Sequence, residues 1–410
     1  MRQGGALAPF RQPVFRAIWI ATLISNFGAM IQSTGAAWMM TQLTGSPQMV
    51  ALVQTCATLP VMLLALFSGA VADSYDRRRV MLTGQWIMLG ASAALAVLTL
   101  LEAIQPWILL VGTLIVGCGT ALHGPSWQAS IRAQVPIVDL PAAVALNSIN
   151  LNLARSVGPA IGGVVMALAG PSANFTVNSC TYVGLIVVLL RWKPQFTHVP
   201  QHEPLLAAIR AGAVAAYMTA SVRSAMLRVA IFGLAGSCLW ALMPLVAHDL
   251  LDGGQSVFGL ILGAFGLGSI VGAFVAAPAR QRIGTERTFI ASTLLFAGGS
   301  IVVSLSRDLP VTILAVALAG VAWVTILASI NVTVQMGAPH AVVGRCLALY
   351  HMHAFGGLAL GSMLWGNVAE QAGTATALIL SGMALILSVA LASVLPLPGI
   401  ISQQAEDSTA

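Results

Sequence analysis

Charge is scarce in this sequence: 410 residues hold 12 acidic and 18 basic side chains, 7% of the chain. Soluble domains carry about a quarter of their residues as Asp, Glu, Lys or Arg. A globule of this size could not cover itself with solvated surface, so an ordinary cytosolic or secreted enzyme is excluded. Lysine is nearly missing, because every base but Lys193 is an arginine. The five cysteines, Cys56, Cys118, Cys180, Cys238 and Cys346, stand far apart in or beside apolar stretches, with no CxxC pair and no metal-like spacing. They read as small buried apolar residues, and no metal site is expected. Nucleophile-elbow, HExxH, phosphate-loop and dinucleotide signatures are all missing, so neither an enzyme activity nor a cofactor is expected. The Gly-rich run Gly117-Cys-Gly-Thr-Ala-Leu-His-Gly124 falls mid-span and reads as helix packing. No nucleotide-binding module is present, so ATP hydrolysis within this chain is not expected.

Hydrophobic residues make up 58% of the chain, with 40 Gly and 19 Pro set among them. Mean hydropathy is +0.90. Glycine and proline within apolar runs are tolerated where membrane helices pack on one another. Apolar segments fall at 17–43, 48–72, 80–101, 106–131, 141–169 and 172–191, then at 224–248, 254–279, 286–306, 310–336, 342–369 and 373–396. At about 20 residues per span these are twelve crossings. The expected fold is an all-α polytopic membrane protein.

The bases decide orientation. Arg2, Arg11, Arg16, Arg77, Arg78, Arg79, Arg132, Arg191, Lys193, Arg210, Arg223, Arg228, Arg280, Arg282, Arg287 and Arg345 fall on the side of the two termini. The opposite connections hold Arg307 and the acids Glu102, Asp249, Asp252, Asp308 and Glu370. Positive charge stays in the cytoplasm, so both termini are expected there, in an inner membrane. The same distribution explains the basic balance without nucleic acid. Arg2, Arg11 and Arg16 precede the first apolar run without a small-residue cleavage site, so a cytoplasmic tail is expected there and not a removed signal peptide.

The stretch 192–223 is the one long polar interruption. It separates a six-span bundle at 1–191 from a second at 224–410. Adding 203 maps Gly69 to Gly272, Arg77 to Arg280, Arg79 to Arg282, Pro136 to Pro339 and Gly158 to Gly361. A constant offset across loops and helices is the mark of a duplicated half. Duplicated six-helix halves are the plan of one transporter class, with its site between the halves.

The second connection reads Gly69-Ala-Val-Ala-Asp73-Ser-Tyr-Asp76-Arg77-Arg78-Arg79. Gly69 permits close helix approach, and Asp73 can accept from Arg77 or Arg132 or face a helix N-terminus. The bland alternative is a charge cluster that only sets topology. This loop resembles the signature of the major facilitator superfamily, with Asp76 where the general pattern has Gly. The resemblance implies that Asp73 meets the eleventh helix, near Arg345, and latches a cytoplasmic gate in the outward-open state. The second-half copy carries Ala276 in place of the acid, which predicts a weaker latch.

In the fifth span, Gly158-Pro159-Ala-Ile-Gly162-Gly163 combines small residues with a kinking proline. It resembles the antiporter motif of exporters in that superfamily, which implies tight packing near the interface of the halves; generic small-residue packing is the alternative. Arg16-Ala-Ile-Trp19, Leu43-Thr-Gly-Ser-Pro47, Asp76-Arg-Arg-Arg79, Asn147-Ser-Ile-Asn-Leu-Asn-Leu-Ala-Arg155 and Val343-Gly-Arg345 together resemble the transmembrane secretion effector branch. Its members include siderophore, macrolide and multidrug exporters. Some place an acid in the first span, whereas this chain has Asn26-Phe-Gly-Ala-Met-Ile-Gln32.

Polar residues at membrane depth are the remaining site candidates. Arg155 lies roughly 20 Å along the fifth span by helical rise. An intramembrane arginine costs several kcal/mol unless it faces water, a partner or a substrate. Ser148, Asn152 and Arg155 share one helical face, with Asn147 and Asn150 close in sequence. No acid lies deep in any span, so the partner of Arg155 is backbone carbonyls, neutral amides or a passing anion. His123, Gln128, Asn331, Gln335, Tyr350, His351 and His353 complete the set. Tyr350 and His353 can share a face, whereas His351 and His353 point about 200° apart and make a poor metal pair. Each histidine is a packing residue or, with its titration range, a proton carrier. The expected function is a monomeric secondary exporter of an amphiphilic small molecule, coupled to protons or another ion. Import by the same fold, or a membrane enzyme or lipid-handling protein without ion coupling, are the alternatives.

Overall fold

The computed structural model describes residues 7–193, 213–339 and 343–397, without the side chains of 65, 66, 69, 70, 72–74 and 344. Only the backbone of Gly69 and Asp73 in the signature loop is described, so the side-chain contacts predicted there, and all of Arg2 and Arg210, lie outside the described residues. Every element among the described residues is helical. Twelve long helices follow in order: α1 Pro13–Leu43, α2 Pro47–Ser74, α3 Arg77–Leu100, α4 Pro106–Ser130, α5 Leu140–Ala169 and α6 Pro171–Arg191. The second set is α7 Ala220–Leu245, α8 Gln255–Ile283, α9 Thr285–Leu305, α10 Leu309–Gly337, α11 Val343–Ala372 and α12 Thr374–Ser388. Eleven are long and apolar enough to cross a membrane. The other, α11, has 30 residues, about 45 Å of helix, but carries Arg345, His351, His353 and Glu370.

Proline at the first turn starts α1, α2, α4, α5, α6 and α10, where a missing N–H costs nothing. Because the connections within each half are short, consecutive helices run antiparallel, and the start of α1 and the end of α12 lie on one face, here the terminal face. The opposite face is the far face. Gly170 joins α5 to α6 and Gly373 joins α11 to α12, each with a positive φ (77° and 87°) that other residues avoid. These two glycines are also 203 positions apart.

The repeat extends to packing. In the first half α1 packs on α5 and α6, α3 on α4 and α6, and α2 on α4. Adding six to each helix number reproduces the second half: α7 on α11 and α12, α9 on α10 and α12, α8 on α10. A Cβ at Gly158 would fall on Met30 of α1, and one at Gly361 on Leu234 of α7, the equivalent seam. The halves meet along two related seams, α2 with α11 and α5 with α8. This is the major facilitator fold, two pseudo-symmetric six-helix bundles. Large apolar side chains such as Leu63, Phe67, Leu168, Leu267 and Phe274 remain exposed on the bundle surface, as a lipid-facing belt requires.

One sequence expectation needs correction. The sequence groups Arg228 with the topogenic bases on the side of the termini, although it falls within the apolar segment 224–248. α7 begins at Ala220, so Arg228 is two turns inside the helix and only 2% exposed. It donates to Glu286 Oε1 of α9 at 2.7 Å, and its guanidinium sits 4.6 Å from the Phe289 ring centroid. Burial without a partner would be prohibitive, and Glu286 supplies one.

Candidate functional site

The far face is closed. Trp38 of α1 stacks on Phe258 of α8, ring centroids 5.5 Å apart, and meets His248 after α7 edge-on. Trp240 Nε1 of α7 donates to Gln54 Oε1 of α2 at 3.1 Å. Thr55 Oγ1 of α2 donates to the Ala359 carbonyl of α11 at 3.1 Å. Gly163 of α5 lies directly against Gly259 of α8. Among the described residues, α4 and α10 do not pack closely on each other toward the terminal face.

Arg155 sits where the seam opens. It lies one residue before Ser156, whose carbonyl is pressed against Gly266 of α8. Its side chain is exposed although it stands midway along α5, and it interacts electrostatically with Tyr350 and His351 of α11. It therefore faces a space between the halves, not the lipid. No carboxylate among the described residues lies within 4 Å of it. Tyr350 is buried and donates to the Leu327 carbonyl at 3.4 Å, with Asn331 of α10 near its hydroxyl. Asn331 in turn accepts from Gln335, which is exposed near the terminal end of α10. Arg155, Tyr350, His351, Asn331 and Gln335 thus form one polar string, from the terminal mouth to the centre. Pro159, one turn beyond Arg155 on the same face, lines a cleft with Gln54, Trp240 and Phe258.

Other candidates fall elsewhere. Ser148 and Asn152 share the exposed face of Arg155, and Ser148 returns its hydroxyl to the Val144 carbonyl. Asn150 points away, exchanging amide bonds with Asn26 and the Trp19 carbonyl of α1. Asn147 accepts from Trp127 Nε1 at 2.6 Å. Both amides staple the first half together instead of lining the cavity. His123 bonds Gln85 of α3 at 3.3 Å, inside the first half. His353 is held by the Leu349 carbonyl and by Tyr217 at 3.0 Å, away from Arg155. Gln128 is exposed near the terminal end of α4.

The signature loop divides its work. Asp76 caps α3, accepting from the amides of Arg78 and Arg79. Arg77 donates to the Ala129 carbonyl at the end of α4, and Arg78 donates to the carbonyls of Leu189 and Leu190 at the end of α6. Cations at helix C-termini are favourable there. Arg79 and Arg132 are exposed, and Arg345 is half-buried at the start of α11. Arg280, the repeat partner of Arg77, reaches Ser329 near the end of α10. In the fifth-span motif, Gly158 and Gly162 pack on α1 while Gly163 serves the α5–α8 seam.

The family model for transmembrane secretion effectors matches residues 4–410. The chain belongs to this family, within the major facilitator superfamily. It is 25% identical over 382 residues to the multidrug efflux pump Tap of Mycolicibacterium fortuitum, covering 91% of this chain and 93% of that protein. It is 22% identical to the enterobactin exporter EntS of Salmonella paratyphi A, covering 92% and 90%. Among solved structures, the nucleoside transporter NupG superposes with a TM-score of 0.73 at 13% identity, covering 93% of this chain and 98% of that one. A bacterial homologue of the lysosomal transporter Spinster, inward-facing and occupied, gives 0.73 at 14% identity, covering 94% and 97%. At those identities the structures share the fold alone.

This secretion effector also holds polar residues that the sequence did not single out. Gln32 of α1 accepts from Ser92 of α3 and Asn178 of α6, a buried knot in the first half. Glu370 at the end of α11 accepts from Ser46 and Gln48 of α2, across the halves. Its only sequence signal is its place among the far-face acids.

Proposed function

We propose that this chain is a secondary active exporter of an amphiphilic small molecule bearing an anionic group, working by alternating access. The observation that carries the reading is Arg155: a cation exposed to the space between the halves, with no carboxylate beside it. A cation at low dielectric attracts carboxylate, catecholate or phosphate groups and repels protonated amines. The apolar side chains beyond it, Trp240 and Phe258, are the candidates to meet the rest of an amphiphile once the far face rearranges. Export is supported by the names of the efflux-pump and exporter relatives and by the Gly158–Gly163 motif. We place both termini in the cytoplasm by the arginine asymmetry, which makes this conformer inward-open. Proton antiport is the proposed coupling, and His351 is the titratable histidine of the site.

Proteoliposome transport of paired anionic and cationic amphiphiles, with and without an imposed pH gradient, tests this reading. Arg155→Ala should lose transport of the anions while inserting normally, and Arg155→Lys, which keeps charge without the planar fork, should retain part of it. Anion transport by Arg155→Ala at the parental rate would overturn the anion reading. Transport indifferent to any imposed ion gradient would overturn the antiporter.

A further inference from the structure

We infer that Glu370 is the latch of the far-face gate, a carboxylate of the second half that caps the α2 N-terminus of the first half only while that face is closed. The first turn of α2 contains no acid of its own. Pro47 has no N–H, and Ser46 Oγ accepts from Met49 N at 3.4 Å. That leaves the Gln48 N–H as the free donor of the turn. Glu370 Oε2 takes it at 3.2 Å and also accepts from the Ser46 hydroxyl at 2.6 Å. A negative charge at a helix N-terminus is favoured by the helix dipole as well as by these bonds.

The approach is built into α11. One turn before Glu370, Gly366 rests on Gln48 and Ala51, where a Cβ would lie 3.2 Å from the Gln48 Cα. Two turns further along the seam Thr55 bonds the Ala359 carbonyl. Behind Glu370, Thr374 at the start of α12 reaches Asp249 Oδ2 at 3.4 Å, fixing that corner within its own half. The pairs Arg79–Asp76, Arg228–Glu286 and His248–Asp249 each lie within one half, whereas the Glu370 contacts cross between halves. When the far face opens, α11 leaves α2, and Gln48 N–H and Ser46 lose this partner to water. The contact therefore biases the equilibrium toward the conformer seen here, because it exists in one state only.

The inference rests on alternating access and not on the substrate, its charge or the direction of transport. Its test needs no substrate: hydrogen–deuterium exchange of the full-length protein in lipid nanodiscs. Glu370→Gln and Glu370→Ala should raise exchange at 46–54 and 363–372. Exchange should rise as well in the first turns of α8, on the other seam, because the whole far face opens together. Loss of this exposed contact between a carboxylate and a helix N-terminus should move the conformer ratio about two- to fivefold. Ser46→Ala, which leaves the carboxylate and the Gln48 N–H, should give a smaller shift in the same direction, and it keeps the test open if the Glu370 variants fail to fold. Faster exchange confined to 46–49 would make Glu370 a local cap and overturn the latch, as would unchanged exchange at both seams.

Discussion

Gly163 of α5 and Gly259 of α8 touch backbone to backbone: a Cβ on Gly259 would lie 2.9 Å from the Gly163 Cα. Neither helix has a flexible side chain there to give way, so even one methyl must part the seam. Gly163→Ala should cost the closed far face about 1–3 kcal/mol, the usual penalty of overpacking, and Gly163→Val more. The check is thermal unfolding together with solvent accessibility of the far ends of α5 and α8. Equal accessibility in the alanine variant and the parent would show that the seam is looser than its geometry.

The twelve spans were legible because apolar runs and their punctuation survive without knowledge of contacts. The repeat was legible as well, and Gly170 and Gly373 add a sixth pair at the same offset. Arg155 stood out because a cation inside an apolar run demands an explanation. Its neighbours did not, since Asn150 and Asn152 are two residues apart on a helix and so face nearly opposite ways. One is a buried staple to α1, and the other shares the exposed face of Arg155. Glu370 was invisible for a different reason. Its partners are a hydroxyl and a backbone N–H more than 300 positions away, and no sequence pattern marks a backbone donor.

The Arg228–Glu286 pair predicts a stability effect separate from transport. Arg228 is buried and Glu286 is partly open, so removing the acid strands a charge in the second half. Glu286 Oε2 also accepts from the Leu397 amide at 2.6 Å and so ties the segment after α12 to α9. Glu286→Ala should lower stability by about 3 kcal/mol. Arg228→Met combined with Glu286→Gln should recover most of that loss, because no buried charge then lacks a partner. Thermal melts of the two single variants and the double variant in one detergent decide it. Additive losses would mean that the two residues act independently.

Asp76 has a local task that distinguishes it from a gate residue. Its carboxylate accepts from the amides of Arg78 at 2.9 Å and Arg79 at 3.4 Å, and its ion pair with Arg79 is exposed and of little worth. Asp76→Ala should cost about 1 kcal/mol, the value of an N-cap, while Asp76→Ser or Asp76→Asn should keep most of it. Transport by the asparagine variant should stay near the parental rate. A transport-dead Asp76→Asn protein with an unchanged melting temperature would return this residue to the gate.

The two ends of the α2–α11 seam should work against each other. Asp73 lies in the last turn of α2 on the terminal face, and the family resemblance gives it a latch that closes that face. Glu370 lies in the last turn of α11 on the far face, against the first turn of α2. Each proposed contact exists in one conformer only, so each substitution removes stabilisation from the opposite state. Asp73→Asn should favour the conformer described here, and Glu370→Gln should favour its reverse. A charge-assisted hydrogen bond contributes about 1.5–3 kcal/mol and an exposed carboxylate at a helix N-terminus about 0.3–1 kcal/mol, so the Asp73 shift should be tenfold or more and the Glu370 shift a few-fold. The double variant should return to a ratio near the parent while transporting faster than either single variant, because both barriers to exchange have lost a latch. Hydrogen exchange at both faces reads the ratio, and counterflow reads the rate. If the two single substitutions move the exchange pattern in the same direction, the seam is not a two-ended switch, and at least one of the latches is a stability contact alone.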